Sequence, residues 1–134
     1  MTDYYKTSEE ITKIFLAEFN HLKDKFTIID LPVADAKESK TPFIWHPGVY
    51  IFLHPQKGVI KIGRHLTNYR KRALEHLTDN TKNEKYEMTS LKDDTSARLL
   101  LFNLINPEDK HWAAAVEIYL ENKLNLLIPS KISG

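Results

Sequence analysis

The chain has 134 residues, no cysteine, 42% apolar and 28% charged residues, and a formal net charge of +1. That is enough apolar material for one domain with its own core, and it excludes a disulfide framework, a cysteine-based zinc site and a thiol nucleophile. Near-neutral charge removes any bulk attraction to nucleic acid, and with no long apolar run and no apolar leader a cytoplasmic protein without membrane contact is expected.

In chain order, Thr7-Ser8-Glu9-Glu10 reads as a capping box. Ile11, Ile14, Phe15, Leu22 and Phe26 follow at helical spacing, which predicts a helix over 8–25. Residues 27–47 contain Pro32, Pro42 and Pro47 and a polar stretch at 35–40, so they read as an irregular connection with a short extended piece at 27–31. Residues 49–53 and 59–62 are rich in β-branched and aromatic side chains, and the His54-Pro55-Gln56-Lys57-Gly58 turn joins them as an antiparallel hairpin. Thr67 or Asn68 can cap a helix over 68–78, on which Arg72 and His76 lie one turn apart.

Residues 79–97 are polar and read as loop, with a short strand at 86–89. The apolar run 97–105 is short enough for a buried third strand. Asn106-Pro107-Glu108-Asp109 combines a capping residue, proline at the first helical position and acids in the first turn, which predicts a helix reaching about residue 127. Glu117 and Glu121 lie one turn apart on it, near its apolar boundary. The sum is an α+β domain: a three-stranded antiparallel sheet flanked by helices at 47–134, with an added N-terminal helix and irregular extension at 1–46.

Charge is unevenly spread. Lys61, Arg64, Arg70, Lys71 and Arg72 cluster with His65 and His76, opposed only by Glu75. Such a patch can contact phosphates on a nearly neutral protein, or it can be a solvated helix face. Tyr50, Lys61, the arginines and His76 together offer what phosphodiester cleavage needs: a group to take a proton from water and cations to hold the phosphate.

Gly48-Val49-Tyr50, Lys61-Ile62-Gly63, Arg72 and His76 four residues on, and an acid on the helix after the third strand resemble the GIY-YIG nuclease family over about residues 47–129. The second signature has lysine in place of tyrosine, and no asparagine follows Asn125, where the family often ends its core with one; Ser130 is the nearest polar substitute. The resemblance implies a metal-dependent endonuclease or nicking phosphodiesterase acting on DNA. In it Tyr50 activates or orients water in the cationic field of Lys61 and Arg64. Arg72 grips the scissile phosphate, Arg64 and Arg70 add phosphate contacts, and His76 assists. Glu117, or alternatively Glu121, binds a single Mg²⁺ or Mn²⁺. Glu117 is preferred because it lies nearer the third strand.

Each residue also has a plain explanation. Tyr50 can be a strand residue with a surface hydroxyl, Lys61 an edge charge, and Glu117 a partner of Lys110 or Arg98 on a solvated stripe. Trp45 and Trp112 suit packing, and the remaining histidines lack metal-ligand spacing. The runner-up function is therefore a catalytically inactive nucleic-acid-binding module, followed by a protein-interaction domain built on the N-terminal helix. A homodimer or a DNA-binding partner protein would supply the sequence specificity that so short a chain leaves little room for.

Overall fold

The computed structural model describes residues 7–36, 40, 42–44, 46–65 and 96–124. They form an α+β domain whose antiparallel sheet has four strands, in the order β1-β4-β2-β3, with helices packed on it. The expected helix over 68–78 and strand at 86–89 lie outside these residues, as do Trp45, Arg70, Arg72, His76 and Ser130.

Helix α1 spans Ser8–Phe19 and opens on the expected capping box: the Thr7 hydroxyl accepts from the Glu10 N–H at 3.1 Å, and the Thr7 N–H donates to Glu10 Oε1 at 2.9 Å. Its buried stripe is Ile11, Phe15 and Phe19, each four residues from the last. The helix ends earlier than the spacing suggests. A 3₁₀ segment over Asn20–Lys25 takes up the tail of the predicted helix, so Leu22 still turns inward while the chain re-aims into strand β1, Phe26–Pro32.

Strand β1 corrects the expected three-stranded sheet. The short extended piece foreseen at 27–31 pairs along its whole length with β4, Arg98–Leu104, from Phe26 opposite Leu104 to Pro32 opposite Arg98. It serves as an edge, so Pro32, which has no N–H to give, is tolerated at its end. Asp30 accepts from Arg98 Nε at 2.8 Å across this pair. Val33–Ala36 then forms a one-turn helix, α2, inside the segment expected to be irregular.

Strands β2, Gly48–His54, and β3, Gly58–His65, are the expected hairpin, with Gly58 at φ 81° in the turn. All seven residues of β2 are buried. A central strand covered on both faces reads as a continuous apolar run, as this one does, and β4 shows the same signature. Helix α3, His111–Lys123, follows a 3₁₀ turn at Pro107–Asp109 whose start is capped by the Asn106 side chain, accepting from the Glu108 N–H at 3.0 Å. It stops short of the expected end: Leu124 is already extended, at φ −115° and ψ 148°.

The sheet separates two cores. On the helix face, Ile11, Phe15, Val49, Ile51, Ile62, Leu100 and Phe102 pack with Val116 and Leu120 of α3. Phe15 stacks 4.6 Å from Phe102 and meets Phe26 edge-on at 5.4 Å. The N-terminal helix thus completes the same core as the hairpin, and Trp112 packs at its margin. On the opposite face lie Ile29, Leu31, Ile44, Tyr50, Phe52, Ile60, Leu99 and Leu101.

Two local devices set the geometry. A β-bulge in the hairpin pairs Phe52 with Lys61 but Leu53 with Val59, which leaves Ile60 as the extra residue. At the far end of β2, Gly48 lies so close to β4 that an added Cβ would sit 2.2 Å from the Phe102 carbonyl oxygen and 2.8 Å from Asn103 Cα. Beside it, Phe43 adopts φ 65°, unusual for a bulky residue. Its carbonyl is held by the buried Asn103 amide at 2.7 Å and the His46 N–H at 3.0 Å.

Candidate functional site

Five side chains of α3 face inward: Ala113, Val116, Glu117, Leu120 and Glu121. Their spacing is that of a single apolar stripe, and two of its five places are carboxylates. Glu117 is 1% exposed and Glu121 8%. Acids are almost never buried to this extent unless paired.

The bulge supplies the partner for one of them. Without the extra residue, the hairpin register would carry Arg64 to the face away from α3. With it, Arg64 stands opposite Val49, a helix-face residue, and its guanidinium donates from Nη1 to Glu117 Oε1 at 3.1 Å. The Arg64 side chain remains 32% exposed, so the pair joins a buried acid to a base that reaches solvent. Neither Lys110 nor Arg98, the partners a simple surface pairing would have used, takes this place; Arg98 is engaged by Asp30.

Glu121 has no such partner. Among the described residues neither of its carboxylate oxygens receives a hydrogen bond. Burial pushes the Glu117 carboxyl up to about 7, the charge of Glu121 adds to that rise, and Arg64 opposes it. A protonated Glu117 can donate to Glu121 one helix turn on, a contact that exists only while the two carboxyls share a proton; with none shared, Glu121 has no donor among the described residues.

Tyr50 and Lys61 lie elsewhere. Tyr50 is 2% exposed, packs edge-on to Phe52 at 5.8 Å, and rests its hydroxyl over Gly63, where an added Cβ would be 2.2 Å from it. Tyr50 belongs to the core opposite α3, and Lys61 pairs with Phe52 of that same core. The structure therefore brings Arg64, Glu117 and Glu121 together on the helix face and sets Tyr50 and Lys61 on the other. The bulge behind this division leaves only a faint trace in the sequence, the adjacent apolar pair Val59-Ile60 before Lys61.

The buried Asn103, missed by sequence reasoning, has an Oδ1 without a partner among the described residues. The signal that could have found it is a lone polar residue inside an apolar strand run. No group of three or more His, Asp or Glu side chains suited to a metal occurs among the described residues. No helix there is long and apolar enough to cross a membrane.

No protein-family model matches the chain, and no curated protein and no solved structure matches it either.

Proposed function

We propose that this protein is a metal-dependent endonuclease of the GIY-YIG type, acting on DNA from a cytoplasmic location. One observation carries the choice of an enzyme over a plain packing role: two carboxylates occupy core positions of α3, and among the described residues only Glu117 has an ion-pair partner, the partly exposed Arg64. Such an arrangement costs stability, because an unpaired buried charge is expensive, and perturbed carboxyls of this kind concentrate at sites of chemistry. The order of the elements adds support. The Gly48-Val49-Tyr50 strand is paired to the Lys61-Ile62-Gly63 strand, and the helix after the next strand bears the acid.

Mg²⁺ or Mn²⁺ fits the donors present. Both ions prefer hard oxygen ligands, Mg²⁺ is commonly held by one or two carboxylates with water completing the shell, and among the described residues no N–H or O–H of another residue type reaches the buried Glu121 oxygens. Glu117, with Glu121 as the alternative, would hold the ion. When bound, the ion would draw charge from the phosphate oxygens and the leaving group. Arg64, partly exposed beside Glu117, and Arg72 with its planar fork would hold and orient phosphates, and Arg70 would add a contact. The proton of the attacking water would pass to His76, because Tyr50, the acceptor the resemblance implies, lies on the face of the sheet opposite Glu117.

The position of Tyr50 favours a second function, a nucleic-acid-binding module without cleavage, because its hydroxyl lies on the face opposite Glu117. A plasmid assay separates the two. The purified protein is expected to nick supercoiled DNA in Mg²⁺ or Mn²⁺ and to stop in EDTA. Glu117→Gln and Arg72→Ala are each expected to slow nicking by about 10²–10³-fold, the usual effect of removing one electrostatic stabiliser. Tyr50→Phe loses activity if the phenol handles the proton and retains it if His76 does. No nicking in any metal, with DNA binding that weakens steeply as salt rises, would establish the binding module instead.

A further inference from the structure

We infer that Phe43 and His46 form a stacking site for an unpaired nucleobase, so that the DNA taken is partly single-stranded. The inference rests on the proposed nuclease function for the class of polymer and names the form of it. Phe43 is 40% exposed and sits at φ 65°, a strained backbone for a bulky residue that persists only where its surroundings enforce it. The enforcing group is Asn103, wholly buried in β4. Its amide donates to the Phe43 carbonyl at 2.7 Å, while its own Oδ1 is left without a partner among the described residues. Strained backbone and a half-satisfied buried amide are separate costs, and both serve to hold one aromatic ring in solvent. A packing role would have turned that ring inward, as the neighbouring Ile44 is turned.

His46, half-buried, meets the Phe43 ring at 5.0 Å and 79°, so the two rings make a corner. The Leu104 carbonyl can only accept, so His46 Nδ1 carries the proton in their 2.8 Å bond, and Nε2 remains to hydrogen-bond the edge of a stacked base. Bases stack on aromatic rings whatever their sequence. A base inside a duplex has both faces covered by its neighbours, so only an unpaired one has a face to offer. Charge favours a nucleotide over an apolar peptide as the occupant. His46 lies three residues before Val49, which stands opposite the partly exposed Arg64. At about 3.4 Å per residue, the corner is roughly 10 Å along the chain from the register of that cation, near enough for one strand of nucleotides to reach both.

The test is equilibrium binding of the full chain to a fluorescently labelled single strand of thymidines and to a blunt duplex of equal length, in EDTA so that no strand is cut. The wild type is expected to prefer the single strand. Phe43→Leu keeps an apolar side chain and removes the flat ring. It is expected to weaken single-strand binding about 5- to 150-fold, the equivalent of one stacked base, and to leave duplex binding unchanged. Phe43→Trp is expected to retain single-strand affinity, a rescue that a merely structural role would not give. Equal losses on both DNAs in Phe43→Leu, or wild-type single-strand affinity in that variant, overturn the site. A wild type that binds no single strand also overturns it, and plasmid nicking then decides separately whether the nuclease stands.

Discussion

Gly48→Ala is expected to lower the stability of the protein by about 3 kcal/mol, at the upper end of what overpacking costs. The added methyl would be driven to 2.2 Å from the Phe102 carbonyl oxygen and 2.8 Å from the Asn103 Cα. Those are backbone atoms of β4, held in register against β2 from Gly48–Asn103 to Leu53–Arg98, so no rotamer change can make room. Denaturant unfolding would read the loss as a lower midpoint with an unchanged slope, or a melting temperature about 10 °C lower. Gly63→Ala provides the contrast. There the methyl meets the Tyr50 ring and not the backbone of a paired strand, so the strain falls on one side chain and a smaller, still measurable loss is expected. Wild-type stability for Gly48→Ala would mean that β2 and β4 do not approach as closely as described.

The second large effect concerns the acid pair. With metal removed by EDTA, stability is expected to fall as pH rises through about 7, and Glu117→Gln is expected to suppress that fall. The sign follows from the direction of the shift. The Glu117 carboxyl ordinarily titrates at 4.5 and is raised to about 7 by burial first and Glu121 second. The fold thus binds the proton more tightly than the unfolded chain does. The stability this contributes is complete below about pH 4.5 and is lost as pH climbs through about 7. A shift of that size corresponds to at most about 3 kcal/mol. Glutamine mimics the protonated acid, and Arg64, with a third of its side chain exposed, can be hydrated once its partner is gone. The variant should match the wild type near pH 5 and exceed it at pH 8. A variant less stable than the wild type at pH 8 would show that the Arg64 pair outweighs the cost of burial.

Much of the architecture could be read before any coordinates. The capping box at Thr7, the hairpin around Gly58 and the start signal at Asn106-Pro107 each carry their own local mechanism, and each formed where expected. Helix ends were less legible, because no glycine or proline marks the stop near Phe19 or Lys123; the change to 3₁₀ or extended backbone there answers to packing. Strand β1 was half visible: the extended character of residues 27–31 is local, but its place in the sheet depends on β4, some seventy positions later.

The candidate site divides the same way. That Glu117 and Glu121 share a face of one helix follows from periodicity, a property of the chain alone. That this face is the buried one, so that both acids are enclosed and the Glu117 carboxyl is pushed up, follows only from α3 lying on the sheet. Likewise, Arg64 and Tyr50 were both legible as members of a basic and aromatic hairpin, yet their sides were not. One extra residue at Ile60 reverses every later side chain of β3, sending Arg64 toward Glu117 while Lys61 joins Tyr50 beneath the sheet. Residue types and element order are written locally because hydrogen-bonding periods and caps act over a few residues. Facing and proximity belong to the folded chain, since a single step of register exchanges the two faces of a strand.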